Sequence, residues 1–72
     1  MSQSTIEVRL NGDPIRCPES LSLLQLLELR GYKPQLVVVE FNGEILPRTH
    51  WADQPVREAD AVEVVTIVGG GS

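Results

Sequence analysis

Asp60-Ala61-Val62-Glu63-Val64-Val65-Thr66-Ile67-Val68-Gly69-Gly70-Gly71-Ser72 is the stretch on which the reading turns. From Val62 to Val68, four valines, one isoleucine and one threonine are β-branched and stiff at χ1. Such residues suit a pleated strand. Then the chemistry changes abruptly. Three successive glycines offer no Cβ, no packing surface and maximal backbone freedom. A slender tail therefore follows a rigid strand, and its one reactive group is a terminal carboxylate. Glycine ends are often merely frayed, and Gly-Gly-Gly-Ser is also a flexible-linker unit. The tail gains meaning only from the fold that carries it.

Working back, Glu58-Ala59-Asp60 reads as a turn and Val56-Arg57 as a short extended stretch. Pro47 to Pro55 is irregular. Within it, Thr49-His50-Trp51-Ala52-Asp53 fits one helical or 3-10 turn with Thr49 as cap. Trp51 is expected to plug the end of the core beneath that turn. Leu36-Val37-Val38-Val39-Glu40-Phe41 is nearly continuous in apolar residues, which predicts an internal strand. Asn42-Gly43 then makes a hairpin turn into a short partner strand, Glu44-Ile45-Leu46.

Glu19 to Gly31 is the one helix. Ser22 and Gln25 have capping-box spacing. Leu23, Leu26 and Leu27 form one apolar stripe, flanked by Leu24 and Leu29. Gly31 stands where a left-handed C′ residue belongs, and Pro34 blocks continuation. Before the helix, Thr5-Ile6-Glu7-Val8-Arg9-Leu10 alternates, with Ile6, Val8 and Leu10 on one face. Asn11-Gly12 turns it into a short strand, Ile15-Arg16-Cys17, ended by Pro18.

The order is β-β-α-β-β-β. A sheet with one face beneath a helix is a two-layer α+β solution. A right-handed crossover places the last strand centrally, parallel to Thr5–Leu10. This is the β-grasp, or ubiquitin-like, arrangement, with a mixed sheet of four to five strands. Residues 1–68 are read as one domain and 69–72 as a flexible glycine tail. Along the last strand, Val62 and Val64, with Thr66, face inward, while Glu63, Val65 and Ile67 face outward. Outward apolar residues beside a reactive tail are candidates for partner contact.

Composition narrows the function classes. The net charge is −4 and no Lys/Arg cluster occurs, so nucleic acid and anionic membranes are poor partners. No apolar run approaches the ~20 residues of a membrane span. The polar start, Met1 to Thr5, does not read as a signal peptide. Cys17 is the single cysteine, which forbids an internal disulfide and fits a reducing, cytoplasmic setting. His50 is the single histidine, and no nucleophile arrangement accompanies it. No metal-ligand spacing occurs, and the terminal glycines have no following helix with which to cradle phosphate. The residues thus give no catalytic constellation, and the chain is expected not to be an enzyme.

These segments together resemble the ThiS family, the small ubiquitin-like sulfur carriers of thiamin biosynthesis. The resemblance runs from about Thr5 to Gly71. It rests on Leu10-Asn11-Gly12, the Leu23-Leu26-Leu27 helix, Val37-Val38-Val39-Glu40-Phe41-Asn42-Gly43-Glu44-Ile45-Leu46-Pro47-Arg48 and Trp51. It continues through Ala59-Asp60-Ala61-Val62-Glu63-Val64-Val65 to Val68-Gly69-Gly70-Gly71. Ala59 departs from the family's common glycine, and Ser72 follows the glycines where the family normally ends.

The resemblance implies a protein substrate with no bound cofactor. A ThiF-like adenylyltransferase would use ATP to adenylate the C-terminal glycine. A cysteine desulfurase or other persulfide donor would supply sulfur, and a ThiG-like thiazole synthase would receive it from a thiocarboxylate. Gly71 is then the sulfur-bearing residue, Gly69 and Gly70 the tail, and Glu63, Val65 and Ile67 the contact surface. Ser72 is expected either to be removed before use or to be an expression remnant. Two other functions compete: a carrier for molybdopterin synthesis similar to MoaD, and a ubiquitin-like interaction or modifier module.

Overall fold

Alternation of side chains along Thr5–Leu10 produces the first strand, β1, and Asn11-Gly12 folds it back into β2, Asp13–Pro18. Asn11 and Gly12 have φ of 53° and 88°. Two positive values in succession are what a two-residue hairpin with the right twist requires. Asn42 and Gly43 repeat the geometry, with φ of 53° and 89°, between β3 (Val37–Phe41) and β4 (Glu44–Ile45). The computed structural model describes residues 4–67.

β2 is longer than expected and contains Pro14 as well as Pro18. The register explains why Pro14 is tolerated. It lies opposite Arg9, whose N–H donates to Asp60 O, away from β2. The ladder therefore asks no donor of Pro14, and β2 is an edge strand.

The helix α1 spans Leu23–Leu29, shorter than the Glu19–Gly31 expected. Its start is set by pairing with the loop after Trp51. Leu23 N–H donates to Gln54 O, Val56 N–H donates to Leu21 O, and Ser22 bridges Pro55, so residues 21–22 are held extended. Ser22 is the N-cap. Its hydroxyl accepts from Gln25 N–H at 3.1 Å, and the Gln25 side chain accepts from Ser22 N–H at 3.0 Å. This is the expected capping box, which satisfies two otherwise orphaned donors. Gly31 follows with φ +87°, as a left-handed terminator. Leu23, Leu26 and Leu27 are fully buried, whereas Leu29 is exposed. Burying each leucine contributes about 1.5–3 kcal/mol, which is what holds a two-turn helix in place.

The last strand, β5, spans Ala61–Thr66. The sheet order is β2-β1-β5-β3-β4, so β5 is central. It runs parallel to β1, with Arg9 opposite Ala61 and Leu10 opposite Val62, and antiparallel to β3 from Val37–Thr66 to Phe41–Val62. This mixed five-stranded sheet with one principal helix on one face is the β-grasp architecture. Val8, Leu10, Cys17, Val37, Val39, Val62 and Val64 meet the leucines of α1 and Val56 in one core. Trp51 is 1% exposed and donates its indole N–H to Leu46 O at 2.8 Å, closing the core end as expected.

Three local expectations are corrected. Leu36 belongs to a 3-10 helix, Pro34–Leu36, not to β3, because Pro34 begins a tight turn that Leu36 N–H closes on Lys33 O. The second 3-10 helix begins at Arg48, after Pro47, and runs to Asp53, so Thr49 lies inside it and does not cap it. Thr66 lies at the end of β5 and is exposed, although its partner Val37 is in the core; Val64 is the last buried residue of the strand.

Candidate functional site

The site expected from sequence is the end of β5 and the residues that follow it. What fixes β5 is a pair of asparagines in the two hairpin turns. β1 pairs with only the first two residues of β5 before it turns away. Asn11 then takes over the ladder. Its backbone N–H donates to Val62 O at 2.8 Å, and its side-chain Oδ1 accepts from Val64 N–H at 2.7 Å. The amide side chain thus stands in for a further residue of β1. Asn11 Nδ2 reaches the Tyr32 hydroxyl at 3.4 Å.

Asn42 does the same on the other flank. Its N–H donates to Ala61 O, its Oδ1 accepts from Ala61 N–H at 2.8 Å, and its Nδ2 donates to Asp60 Oδ1 at 3.1 Å. Asp60 Oδ2 in turn accepts from Arg57 N–H at 2.8 Å. The two Asn-Gly turns are therefore clamps on the central strand as well as reversals of direction. The sequence signals the turns but not this use of their side chains.

Held this way, β5 sorts its residues as the alternation predicts. Val62 and Val64 are buried; Glu63 is exposed, and Val65 and Ile67 are 64% and 48% exposed on the face opposite α1. Val38 is the direct partner of Val65 across β3 and is 38% exposed, and Ile45 on β4 is 67% exposed. Ile67 N–H donates to Leu36 O, which carries the β3–β5 pairing one step past the strand end. The open face of the sheet thus presents an apolar row leading toward the tail. Gly69, Gly70 and Gly71, assigned to the tail, lie outside the described residues, as do Val68 and Ser72.

Other candidate chemistry is absent from the described residues. No group of three metal-ligating side chains occurs among them. His50 is exposed in the second 3-10 helix. Cys17 is buried on β2, and burial pushes its thiol pKa above the ordinary range, which keeps it protonated and unreactive. No helix among the described residues is long and apolar enough to cross a membrane.

A model of the ThiS family matches residues 8–71. The chain belongs to the ThiS family. The match takes in both asparagine clamps, all of β5 and the three glycines. A sulfur carrier protein ThiS of Thermus thermophilus is 39% identical over 64 residues, covering 89% of this chain and 98% of that one. The crystal structure of a thiamine biosynthesis protein (ThiS) from Geobacter metallireducens aligns with a TM-score of 0.78 at 36% identity, covering 92% of this chain and 100% of that one. A thiazole synthase of Paramagnetospirillum magneticum is 35% identical over 63 residues, which are 88% of this chain but 19% of that enzyme. A ThiS-like segment is thus part of a thiazole synthase chain. Membership of a family of small sulfur carriers agrees with the expectation of a carrier rather than a catalyst.

Proposed function

We propose that this protein carries sulfur as a C-terminal thiocarboxylate on Gly71 and delivers it for thiazole formation in thiamin biosynthesis. The observation that carries this reading is the family match through Gly71, on a chain whose central strand, β5, is followed in sequence after Ile67 and Val68 by the three glycines. A carboxylate is a poor electrophile, so the chemistry needs activation. A Gly71 carboxylate oxygen attacks the α-phosphorus of ATP on a ThiF-like partner. Pyrophosphate leaves and an acyl adenylate forms. The terminal sulfur of a persulfide, from a cysteine desulfurase or other donor, then attacks the acyl carbon and AMP leaves. The product is an acyl disulfide. A thiol cleaves its S–S bond, is itself oxidised to the mixed disulfide, and releases the thiocarboxylate. A ThiG-like thiazole synthase receives the sulfur. The thiazole synthase relative that contains such a segment supports this acceptor over a molybdopterin-type one.

The residue types fit each requirement. Gly69 and Gly70 add no Cβ to a tail that must thread a narrow slot. Fixing each tail residue costs about 1–2 kcal/mol, so affinity must come from the folded surface, where Glu63, Val65 and Ile67 are exposed. Ser72 is incompatible with direct use. While it is present, Gly71 has no free carboxylate. A carboxylate on Ser72 would lie ~3.3–3.6 Å further along an extended chain. A misplacement of even about 1 Å can cost ~10²-fold in rate. Ser72 is therefore either removed before the carrier is used or foreign to the natural carrier.

The test compares a chain ending at Gly71 with the 72-residue chain, each incubated with ATP, activating enzyme and sulfur donor. Intact-mass spectrometry should find one oxygen exchanged for sulfur in the shorter chain, at Gly71. Equal conversion of the full chain at Ser72 refutes the Gly71 assignment, and no conversion of either refutes the carrier reading.

A further inference from the structure

The open face of the sheet sets two like charges directly opposite each other. Glu40 and Glu63 are register partners across β3 and β5, and both are exposed. Directly opposed residues have Cβ atoms about 4.5–5.5 Å apart, and like charges there are destabilising. No counter-charge stands directly across from either glutamate. Across from Glu40 on β4 stands Ile45. Beside Glu63 the line of β1 continues into Asn11, whose side chain is engaged with Val64 and Tyr32. The basic residues nearby are Arg9, diagonal to Glu63 on the same face because it stands opposite Ala61, and Arg48, beside Val38 and Ile45. The next row toward the tail is Val38 with Val65, and Ile67 lies beyond. Two adjacent carboxylates therefore border an apolar strip.

We infer that this face is a socket for an arginine projecting from an otherwise apolar patch on the partner that activates the tail. The inference rests on the carrier reading above, which supplies that partner. A guanidinium is planar, carries five donors in a fixed fork and is weakly hydrated. It can hydrogen-bond both carboxylates while its flat face and stem pack beside Val65 and Val38. One positive charge between the two glutamates turns their repulsion into attraction. A lysine offers only a compact, strongly hydrated point charge. A second copy of this chain docked face to face would bring four carboxylates together, so self-association is not the occupant.

The pair predicts an unusual combination: removing a charge should stabilise the free protein and weaken its recognition. The test uses Glu40→Gln, Glu63→Gln and the double variant, each in the chain ending at Gly71. Melting temperature is measured alongside KM and kcat for ATP-dependent activation by the ThiF-like partner. Each single variant should melt about 1–5 °C higher, because an opposed like-charge pair is lost from a small domain. Each should also raise KM about tenfold or more, the loss of a hydrogen bond to a charged group, with kcat within about twofold. Added salt should raise the wild-type KM more than that of the double variant. A wild-type KM retained by the double variant overturns the socket while leaving the carrier reading intact. A raised KM accompanied by a lower melting temperature overturns it too, since the carboxylates would then be structural. A wild-type chain that the partner does not activate overturns both readings.

Discussion

Asn11 contributes to β5 through an interaction that a conventional turn residue would lack, and replacing it with alanine tests that directly. Two losses add. Val64 N–H, in a part-buried bond of 2.7 Å, loses its acceptor. A buried donor left unsatisfied costs about 1–3 kcal/mol. Alanine must also adopt the φ of 53° that asparagine tolerates, and a Cβ in the left-handed region costs about 1–2 kcal/mol. The expected destabilisation is thus about 2–5 kcal/mol. Two further variants separate the terms. Asn11→Gly removes the backbone strain and keeps the first loss, to which glycine's unfolded-state entropy adds about 0.4–1 kcal/mol. Asn11→Asp keeps an acceptor for Val64 and loses only the long 3.4 Å contact to Tyr32, so it should cost under about 1 kcal/mol. Urea unfolding of the four proteins, analysed with a common m-value, gives the comparison. Asn11→Ala within about 0.5 kcal/mol of wild type, or Asn11→Asp as costly as Asn11→Ala, would refute the clamp.

Three other outcomes are expected. Leu27 is fully buried, so Leu27→Ala should lose about 2–5 kcal/mol by chemical denaturation; a loss under ~1 kcal/mol would mean the helix stripe is not core. Ala59 has φ +72°, and Ala59→Gly should stabilise by about 0.5–1 kcal/mol, the left-handed strain less glycine's entropy; a lower melting temperature contradicts this. Cys17 is 2% exposed, and iodoacetamide should label it much more slowly in the native protein than in urea. Because burial raises its folded pKa, stability should be unaffected by this group below the unfolded thiol value of about 8.5 and decline as pH rises beyond it. Cys17→Ala should remove that alkaline component, and an unchanged alkaline limb would count against it.

Much of this architecture was readable because it depends on local rules. The Ser22–Gln25 capping box, the Leu23-Leu26-Leu27 stripe, Gly31 as terminator and the two Asn-Gly turns each lie within a few residues of sequence. Alternation also separated Val62 and Val64 from Glu63, Val65 and Ile67 correctly. The errors arose where distant contacts decide. The helix starts late because residues 21–22 pair with 54–56. Pro14 enters a strand because Arg9 turns its N–H toward Asp60. The second task of Asn11 depends on a partner 53 residues away, and no turn propensity encodes it. For the site, strand alternation gave the exposed apolar row, but the Glu40–Glu63 opposition follows only from the β3–β5 register.

The central position of β5 also governs how the molecule comes together and apart. Each hairpin forms from neighbouring sequence, but β1–β2 and β3–β4 share no ladder with each other. Only β5 joins them, and its pairing with β1 closes most of the chain. Such closure must be met before its contacts reward it, so insertion of β5 is the expected slow event in folding. Until then Val8, Leu10, Val37 and Val39 lack the strand that packs between them. The same joint bears any mechanical load. Tension applied through the glycines falls first on the strand that makes two hairpins into one sheet.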